Sequence, residues 1–249
     1  VNKLFAKRVD FVAFGILPEN STIKNARYIG NPVRSSVLKF KETPYIPPGD
    51  YPINILVIGG SQGARIMSDI VPVALSSLSD KDKKNLRVTH QARPEDKERV
   101  VELYSEGNIR AEVSSFFDDV ARRISEAQLV ISRSGASSIA DIATIGRPSI
   151  LVPLKSAIQD EQSANALSMT SVNSAISLIE DDFTVEKLAS CISKFLSSPK
   201  KAKAMATAAL ERSSKNSVTL LSELIVNLVK QKKNGWTPTS VPIKKGTLE

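Results

Sequence analysis

The stretch ILVIGGSQGAR, residues 55–65, determines how the rest of the chain is interpreted. Four apolar residues run into a glycine-rich turn, and an amphipathic segment begins directly after it. A buried parallel strand that passes into a helix has this pattern, and the free backbone N–H groups at the start of such a helix can hold an anion. We therefore expect an anion-binding turn here, and the remaining sequence has to indicate which anion binds.

From residue 53 onward, short apolar runs alternate with segments of helical periodicity. This alternation, with short connections, predicts an α/β fold with a doubly wound, Rossmann-like parallel sheet. The predicted strands are 53–58, 86–90, 110–116, 128–132, 149–153 and 174–179. The predicted helices are 63–79, 94–106, 118–126, 136–145, 160–171, 184–197, 199–212 and 215–232.

Composition narrows the class of protein. The chain has 249 residues, of which 41% are hydrophobic and one is cysteine, so it can form one large or two small domains without a disulfide framework. No apolar run reaches the roughly 18–20 residues of a membrane-spanning helix. The net charge of +8 is scattered and only 5% of residues are aromatic, so no nucleic-acid partner is predicted. His and Cys also lack the spacing of metal ligands, so no metal site is predicted.

The glycine turn resembles two common nucleotide-binding turns and matches neither. No Gly-Lys-Ser/Thr follows it, which excludes a Walker A loop. The next strand ends in His90 and Gln91, where a fold that binds nicotinamide dinucleotides carries an acidic residue for the ribose. The turn is therefore interpreted as a phosphate site with no nicotinamide cofactor, although a tight structural connection remains an alternative.

A second strand–turn–helix unit lies in SRSGASSIADIATIGRPSILVP, residues 132–153. Gly135 permits close backbone approach, and Ser137 and Ser138 can cap the helix or contact a ligand. Asp141 lies one helical turn after Ser137, so its carboxylate can accept hydrogen bonds from ribose hydroxyls beside the anion. The alternative is an acid that only favours the helix N-terminus. Two glycine turns at one sheet edge predict a nucleotide with an extended diphosphate.

A third polar segment, VPLKSAIQDEQSANA, spans residues 152–166. Glu161 and Gln162 at the start of its helix offer the donors and acceptors that sugar hydroxyls require, while Asp160 also fits an N-terminal cap. His90 is the single histidine, and at a strand end it is interpreted as a wall of the cleft rather than a base. In FFDDV, residues 116–120, the two phenylalanines are expected to line a pocket.

Six motifs in this order, GNPVR (30–34), VIGGSQGAR, HQAR, FFDDV, SRSGASSIADIATIGRPSILVPL and DEQSANA, resemble the MurG family of bacterial glycosyltransferases. The similarity runs from Val1 to about residue 230. It implies a GT-B fold, in which two Rossmann-like domains face a cleft. The chain resembles the donor-binding domain and the last piece of the acceptor domain, so we expect it to be a partial chain. The general base is expected on the remainder of the family's chain, and no catalytic residue is assigned here. The implied division is 1–50 (end of the acceptor domain and linker), 51–212 (UDP-sugar domain), 213–233 (closing helix) and 234–249 (flexible tail).

The resemblance implies an inverting hexosyltransferase of peptidoglycan synthesis. It transfers N-acetylglucosamine from UDP-N-acetylglucosamine to the C4 hydroxyl of undecaprenyl-pyrophosphoryl-MurNAc-pentapeptide (lipid I), giving lipid II, without a cofactor or metal. The resemblance further implies a peripheral position at the cytoplasmic face of the bacterial inner membrane. The alternative is an inactive nucleotide-sugar-binding fragment that lacks the acceptor domain.

The resemblance also implies roles for individual residues. The family has Glu at the position of Asp141, and more often His or Gln at that of Glu161. By this resemblance, Arg34 and Ser61 contact the UDP diphosphate, and Ala136, Ser137 and Ser138 line the diphosphate turn. The Phe117 backbone is implied to bind the uracil edge and Asp141 to bind the ribose. Gln162 is implied to bind N-acetylglucosamine, and Glu161 is a further candidate for this contact.

Overall fold

The computed structural model describes residues 5–16, 23–41, 43–60, 63–155, 161–213 and 217–233. The chain forms two compact units, one of residues 34–213 and the other of residues 1–33 together with 214–249. The functional division at residues 50, 212 and 233 that the resemblance implies stays a prediction.

Eight strands lie in two parallel sheets within the described residues. A small sheet pairs β1 (Val12–Phe14) with β2 (Ala26–Tyr28). The large sheet has the order β5-β4-β3-β6-β7-β8, and every neighbouring pair in it is parallel. Its strands are β3 (Ile53–Ile58), β4 (Leu86–Gln91), β5 (Arg110–Ser114), β6 (Leu129–Ser132), β7 (Ser149–Leu151) and β8 (Ala175–Ser177).

Helices α2 to α7 connect the strands of the large sheet, as parallel pairing requires, while α1 precedes the sheet and α8, α9 and α10 follow it. In chain order they are α1 (Ser35–Leu38), α2 (Arg65–Ser76), α3 (Asp80–Lys83), α4 (Lys97–Glu106), α5 (Val120–Glu126), α6 (Ala136–Ile145), α7 (Glu161–Thr170), α8 (Val185–Leu196), α9 (Pro199–Arg212) and α10 (Ser217–Lys233). Short 3-10 helices span Ala6–Arg8, Pro94–Asp96 and Glu180–Asp182. The last helix, α10, belongs to the unit that contains the small sheet.

The core of the larger unit lies between the sheet and its helices. Helix α2 packs with α4 and α8, while α6 packs with α5, α7 and α9. The strand residues Ile55 and Val57 are buried with Met67 and Val71 of α2 in one apolar cluster. Strands β3, β6 and β7 are buried on both faces and read as nearly continuous apolar runs, as expected in a covered parallel sheet. Strands β4 and β5 instead alternate less exposed residues with more exposed ones.

The sequence predicted a doubly wound parallel sheet, and this prediction is confirmed. Several element boundaries were wrong by two or three residues, and two of them have a clear local cause. The helix predicted over 63–79 ends at Ser76, and the separate helix α3 follows, with the Ser79 hydroxyl accepting a hydrogen bond from the Asp82 N–H at 3.2 Å. The strand predicted over 110–116 ends at Ser114, whose hydroxyl donates to the Phe116 carbonyl at 2.9 Å as the chain turns away.

A buried arginine fastens the segment before β3 to the sheet. Arg147, between α6 and β7, has only 1% of its surface exposed. Its guanidinium donates to the carbonyl oxygens of Ser125 (2.5 and 3.2 Å) and Ile145 (2.8 Å), and also to those of Gly146, Thr43 and Pro44. Burial lowers the pKa of Arg147 to about 10, so the side chain stays charged at neutral pH. The proline-containing segment is therefore bound to the sheet unit by charge-assisted hydrogen bonds.

Among the described residues, no helix is long and apolar enough to cross a membrane.

Candidate functional site

The order of strands in the large sheet locates a ligand-binding edge. The chain moves outward from β3 through β4 to β5, and in the opposite direction from β6 through β7 to β8. Strands β3 and β6 are neighbours, so the winding reverses between them. In open parallel sheets, ligands bind at the carboxyl ends of the strands at such a switch point. The two glycine turns found in the sequence follow β3 and β6.

The first turn needs glycine for steric reasons. A Cβ atom on Gly59 would lie 2.2 Å from the Ala64 nitrogen, and Gly60 and Gly63 have φ angles of +86° and +71°. The Gly63 N–H donates to the Gly60 carbonyl at 3.2 Å, which closes the turn. Ala64 then provides no side-chain cap for α2, and within the described residues the Arg65 and Ile66 N–H groups have no hydrogen-bond partner, so they can meet an anion. Ser61, the expected diphosphate contact, lies outside the described residues.

The second glycine turn leads into α6, and this helix also begins without a side-chain cap. Gly135 is its N-cap residue, has extended backbone angles and makes no side-chain cap hydrogen bond. No atom lies within 4 Å of where its Cβ would be, so the space beside this helix end is open. Ala136 and Ser137 are exposed and Ser138 is half-buried. Two helix N-termini without side-chain caps therefore stand at the switch point, and both favour negative charge.

The structure brings together two of the residues that the sequence analysis assigned to the nucleotide. Arg34 Nη2 lies 3.3 Å from Asp141 Oδ2, with side-chain exposures of 74% and 11%. Burial raises the pKa of the Asp141 carboxyl, and the positive charge of Arg34 opposes this shift. Because Arg34 is mostly in solvent, the pair contributes little stability, and the guanidinium can turn to a bound anion at small cost.

The third segment is joined to the second turn. The Ser134 hydroxyl donates to the Gln162 carbonyl at 2.8 Å, and the Asn165 amide donates to the Ser134 carbonyl at 2.9 Å. The Gln162 side-chain oxygen accepts the Leu154 N–H at 3.0 Å, so this amide also holds the loop after β7. Glu161 is exposed at the first position of α7. The expected sugar-binding residues thus lie at the carboxyl edge, next to the second glycine turn.

The two phenylalanines after β5 have different environments. Phe117 is buried at 9% exposure, and the guanidinium carbon of Arg123 lies 4.2 Å from the centre of its ring. Phe116 is 71% exposed, so the two rings do not share one environment. Within the described ranges, the Phe117 backbone N–H and carbonyl have no hydrogen-bond partner. Phe117 does not contact Arg34 or Asp141, because β4 and β3 separate β5 from β6, a span of about 14 Å at the usual strand spacing.

His90 does not face the cleft, and this part of the sequence interpretation was wrong. Its side chain has no exposed surface, and its Nδ1 atom lies 2.8 Å from the Tyr104 hydroxyl. Along β4, His90 alternates with exposed Arg87 and shares its face with Leu86 and Val88, so the pleat directs it into the core. Burial lowers the pKa of His90 to about 3. A neutral, buried imidazole of this kind is not available as a base.

The sequence analysis missed Arg93, which follows β4 at the same edge. Its Nε atom is buried, and no hydrogen-bond partner for it is present in the described part of the chain. A Cβ on Gly63 would lie only 3.0 Å from the Arg93 Cγ, so this arginine packs directly against the glycine turn. An unpaired buried donor costs free energy, which is recovered when a ligand supplies an acceptor. The HQAR motif contained the signal, but sequence alone did not show that its arginine reaches the turn.

Arg133 has a structural role that was also missed. Its guanidinium donates to the carbonyl oxygens of Val152 and Pro153 at 3.2 and 3.3 Å, and it pairs with Glu180 Oε1 at 2.5 Å. The carboxyl ends of β6, β7 and β8 are therefore tied to one another beside the second turn. No group of three or more His, Cys, Asp or Glu side chains that could hold a metal ion occurs in the described residues.

Comparison with known proteins agrees with this geometry. The chain is 42% identical over 227 residues to the UDP-N-acetylglucosamine--N-acetylmuramyl-(pentapeptide) pyrophosphoryl-undecaprenol N-acetylglucosamine transferase of Rhizobium meliloti (strain 1021), covering 90% of this chain and 61% of the relative. It is 40% identical over 233 residues to the protein of the same name from Allorhizobium ampelinum (strain ATCC BAA-846 / DSM 112012 / S4), covering 93% and 62%. The chain thus spans about six tenths of the length of these curated relatives.

Solved structures show the same relationship. The crystal structure of Acinetobacter baumannii MurG superposes with a TM-score of 0.75 at 26% identity, covering 91% of this chain and 63% of that one. Os79 from O. sativa, solved in complex with UDP and deoxynivalenol-3-glucoside, gives a TM-score of 0.65 at 13% identity over 90% of this chain and 56% of that one, which supports the fold alone. The resemblance to the MurG family and the GT-B-type fold are therefore confirmed.

The family can also be assigned from the sequence profile. Residues 54–224 match the family described as Glycosyltransferase family 28 C-terminal domain. This match begins one residue into β3 and includes both glycine turns and the Gln162 segment. Since it covers more than half of the chain, the protein belongs to glycosyltransferase family 28 and carries that family's C-terminal domain.

Proposed function

We propose that this chain is the donor-binding part of an inverting N-acetylglucosaminyltransferase that uses UDP-N-acetylglucosamine. The observation that carries the proposal is the pair of helix N-termini at the switch point, each without a side-chain cap from its N-cap residue, with the Arg34–Asp141 pair beside the second. Two positively polarised helix ends and one mobile guanidinium suit a diphosphate, whose charge is spread over two neighbouring groups. The relatives' names specify the nucleotide sugar.

Each part of the donor has a proposed contact. The diphosphate is placed at the starts of α2 and α6, the ribose at Asp141, the uracil at the Phe117 backbone and the sugar at α7. Arg93 is added as a further diphosphate contact, because it packs against Gly63 and its buried Nε has no acceptor among the described residues. The residues proposed for the donor are Arg34, Ser61, Arg93, Phe117, Ala136, Ser137, Ser138, Asp141, Glu161 and Gln162.

In the proposed reaction, the C4 hydroxyl of the N-acetylmuramyl acceptor attacks C1 of the donor sugar as the bond from C1 to the UDP oxygen breaks. The acceptor proton passes to a base, and UDP leaves as the diphosphate. Negative charge grows on the diphosphate in the transition state. Helix N-termini and Arg34 are preorganised around that position and so stabilise the transition state more than the bound donor.

The acceptor and the cellular location follow from the same relatives. Their names specify an undecaprenol pyrophosphate carrying N-acetylmuramyl-pentapeptide, so we propose lipid I as acceptor and lipid II as product, in peptidoglycan synthesis. An acceptor with an undecaprenyl chain resides in the membrane. We therefore propose peripheral attachment at the cytoplasmic face of the bacterial inner membrane, consistent with the lack of a spanning helix in the described residues.

A second candidate is a nucleotide-sugar-binding fragment without transferase activity. Its basis is that the family match, over residues 54–224, is to the C-terminal domain alone, which carries the proposed donor site. Calorimetric titration with UDP-N-acetylglucosamine, followed by an assay for labelled N-acetylglucosamine on lipid I, separates the two. Binding with transfer supports the enzyme, whereas binding without transfer supports the fragment. Failure to bind the donor, or DNA binding with a steep salt dependence in its place, contradicts both.

A further inference from the structure

Arg123 is the most highly connected side chain near the Phe117 loop, and the proposed chemistry leaves it without a role. It lies on α5, one turn after the loop, and its side chain is 15% exposed. Its two terminal nitrogens donate to the two carboxylate oxygens of Glu112 at 2.6 and 2.9 Å, and its Nε donates to Asp119 at 2.6 Å. The hydrogen bond to Glu112 raises its pKa further, so the charge is permanent.

These contacts fix the plane of the guanidinium against the Phe117 ring. The carbon of the guanidinium lies 4.2 Å from the ring centre, within the range of a cation–π interaction. Glu112 on β5 and Asp119 at the start of α5 hold the guanidinium from both sides of the loop. The buried ring of Phe117 is therefore clamped by a cation that is itself held by two carboxylates.

The neighbouring Arg122 provides an internal comparison. It pairs with Asp119 and with Glu126, at 2.7 Å to Glu126 Oε1, and 47% of its side chain is exposed. Arg122 carries the same charge as Arg123, lies on the same helix and also pairs with Asp119. In the described residues its guanidinium lies over no aromatic ring. Removing Arg122 therefore changes the local charge by the same amount and leaves Phe117 clamped.

We propose that Arg123 is a positioning residue for base recognition, holding Phe117 so that its free N–H and carbonyl meet the edge of a uracil. A backbone N–H donates to the uracil O4 atom, and the adjacent carbonyl accepts from the N3–H group. Cytosine presents the reverse pattern, with an amino donor in place of O4, so the same clamp disfavours cytidine nucleotides. This inference rests on the proposed function, because it takes the Phe117 backbone as the base contact.

The test compares binding of UDP, CDP and inorganic pyrophosphate by calorimetry, using the full chain. In Arg123→Ala we expect UDP affinity to fall at least tenfold and the preference for UDP over CDP to narrow by a similar factor. Affinity for pyrophosphate, which has no base, should stay within twofold of the wild-type value. Arg122→Ala should retain all three affinities. Arg123→Lys should restore only part of the preference, because an ammonium lacks the planar fork.

Phe117→Leu is a second variant that keeps every charge and removes only the ring. It should narrow the preference for UDP as Arg123→Ala does. The proposal is overturned if Arg123→Ala has the same UDP-to-CDP ratio as Arg122→Ala, or if it loses pyrophosphate as strongly as UDP. Should the wild-type chain itself bind no UDP, the proposed function fails, which is distinct from failure of the clamp.

Discussion

Acidification between pH 7 and pH 5 should destabilise this protein through a single residue. His90 is the chain's one histidine, is fully buried, and has an Nε2 atom without a hydrogen-bond partner in the described residues. Burial lowers its pKa from 6.5 to about 3, against the opposing charge of Asp96. The folded protein therefore keeps the imidazole neutral, while the unfolded chain binds a proton as the pH falls below about 6.5.

The sign and size of the effect follow from that difference. Because the unfolded state binds the extra proton between about pH 6.5 and 3, stability is full above this window and is lost as the pH falls through it. Between pH 7 and pH 5 the loss amounts to about 2 kcal/mol, at about 1.4 kcal/mol for each unit of pKa difference that is titrated. For a protein of this size, that corresponds to a decrease in Tm of about 4–8 °C. Asp141, whose pKa is raised by burial, acts with the opposite sign and reduces the loss.

Urea denaturation and thermal melts at pH 7, 6 and 5 provide the measurement, with His90→Gln as the matched variant. Glutamine does not titrate, so the variant should be less stable overall and should show almost no slope over this range. The wild-type protein should lose stability progressively. Equal slopes in the two proteins, or a flat wild-type profile, would refute the assignment of a neutral buried imidazole.

Three further predictions concern the proposed donor site, the first glycine turn and the buried Arg147. Arg34→Ala should weaken UDP-N-acetylglucosamine binding about 10- to 100-fold in calorimetry, since a charge-assisted hydrogen bond contributes about 1.5–3 kcal/mol. The control is Arg110→Ala, at an exposed arginine that begins β5. Equal losses of affinity in the two variants would contradict the proposed site. Gly63→Ala should cost about 1–2 kcal/mol in urea denaturation, because φ is +71° and its Cβ would meet Arg93, whereas Gly135→Ala, with open space around its Cβ, should be neutral. Arg147→Met should lower the free energy of unfolding by about 3 kcal/mol, since buried carbonyls lose their donor. Arg147→Lys should recover part of this loss. An unchanged urea midpoint in Arg147→Met would contradict a stabilising role for the Arg147 hydrogen bonds.

The fold was predictable because its signals are local. Runs such as 53–58 are apolar on both faces, and a strand with that pattern has to be covered by helices on both sides. Glycines at 59, 60 and 63 marked the turn because only glycine tolerates those angles and approaches. The boundary errors at Ser76 and Ser114 arose where a serine hydroxyl competes for the backbone, which apolar periodicity does not report.

The candidate site was only partly predictable because its details depend on contacts between distant segments. Arg34 and Asp141 are 107 residues apart, and nothing in either motif reveals that they pair. His90 was placed at the cleft because its strand ends there, but the pleat turns it into the core. The resemblance nevertheless selected residues that lie along one sheet edge, and their contacts with the donor stay predictions.

The hydrogen bonds of the buried Arg147 limit where the chain can be shortened to isolate the donor-binding domain. Proline clusters commonly guide where a domain is cut, and this chain has one at positions 44–52. A polypeptide starting after that cluster would lack the Thr43 and Pro44 carbonyls, leaving a buried cation short of acceptors, and would also lack Tyr45, whose hydroxyl donates to the Gln128 carbonyl at 2.9 Å. The smallest self-sufficient piece should therefore include Thr43, and the compact unit that contains the large sheet begins at Arg34, well before the sequence becomes regular.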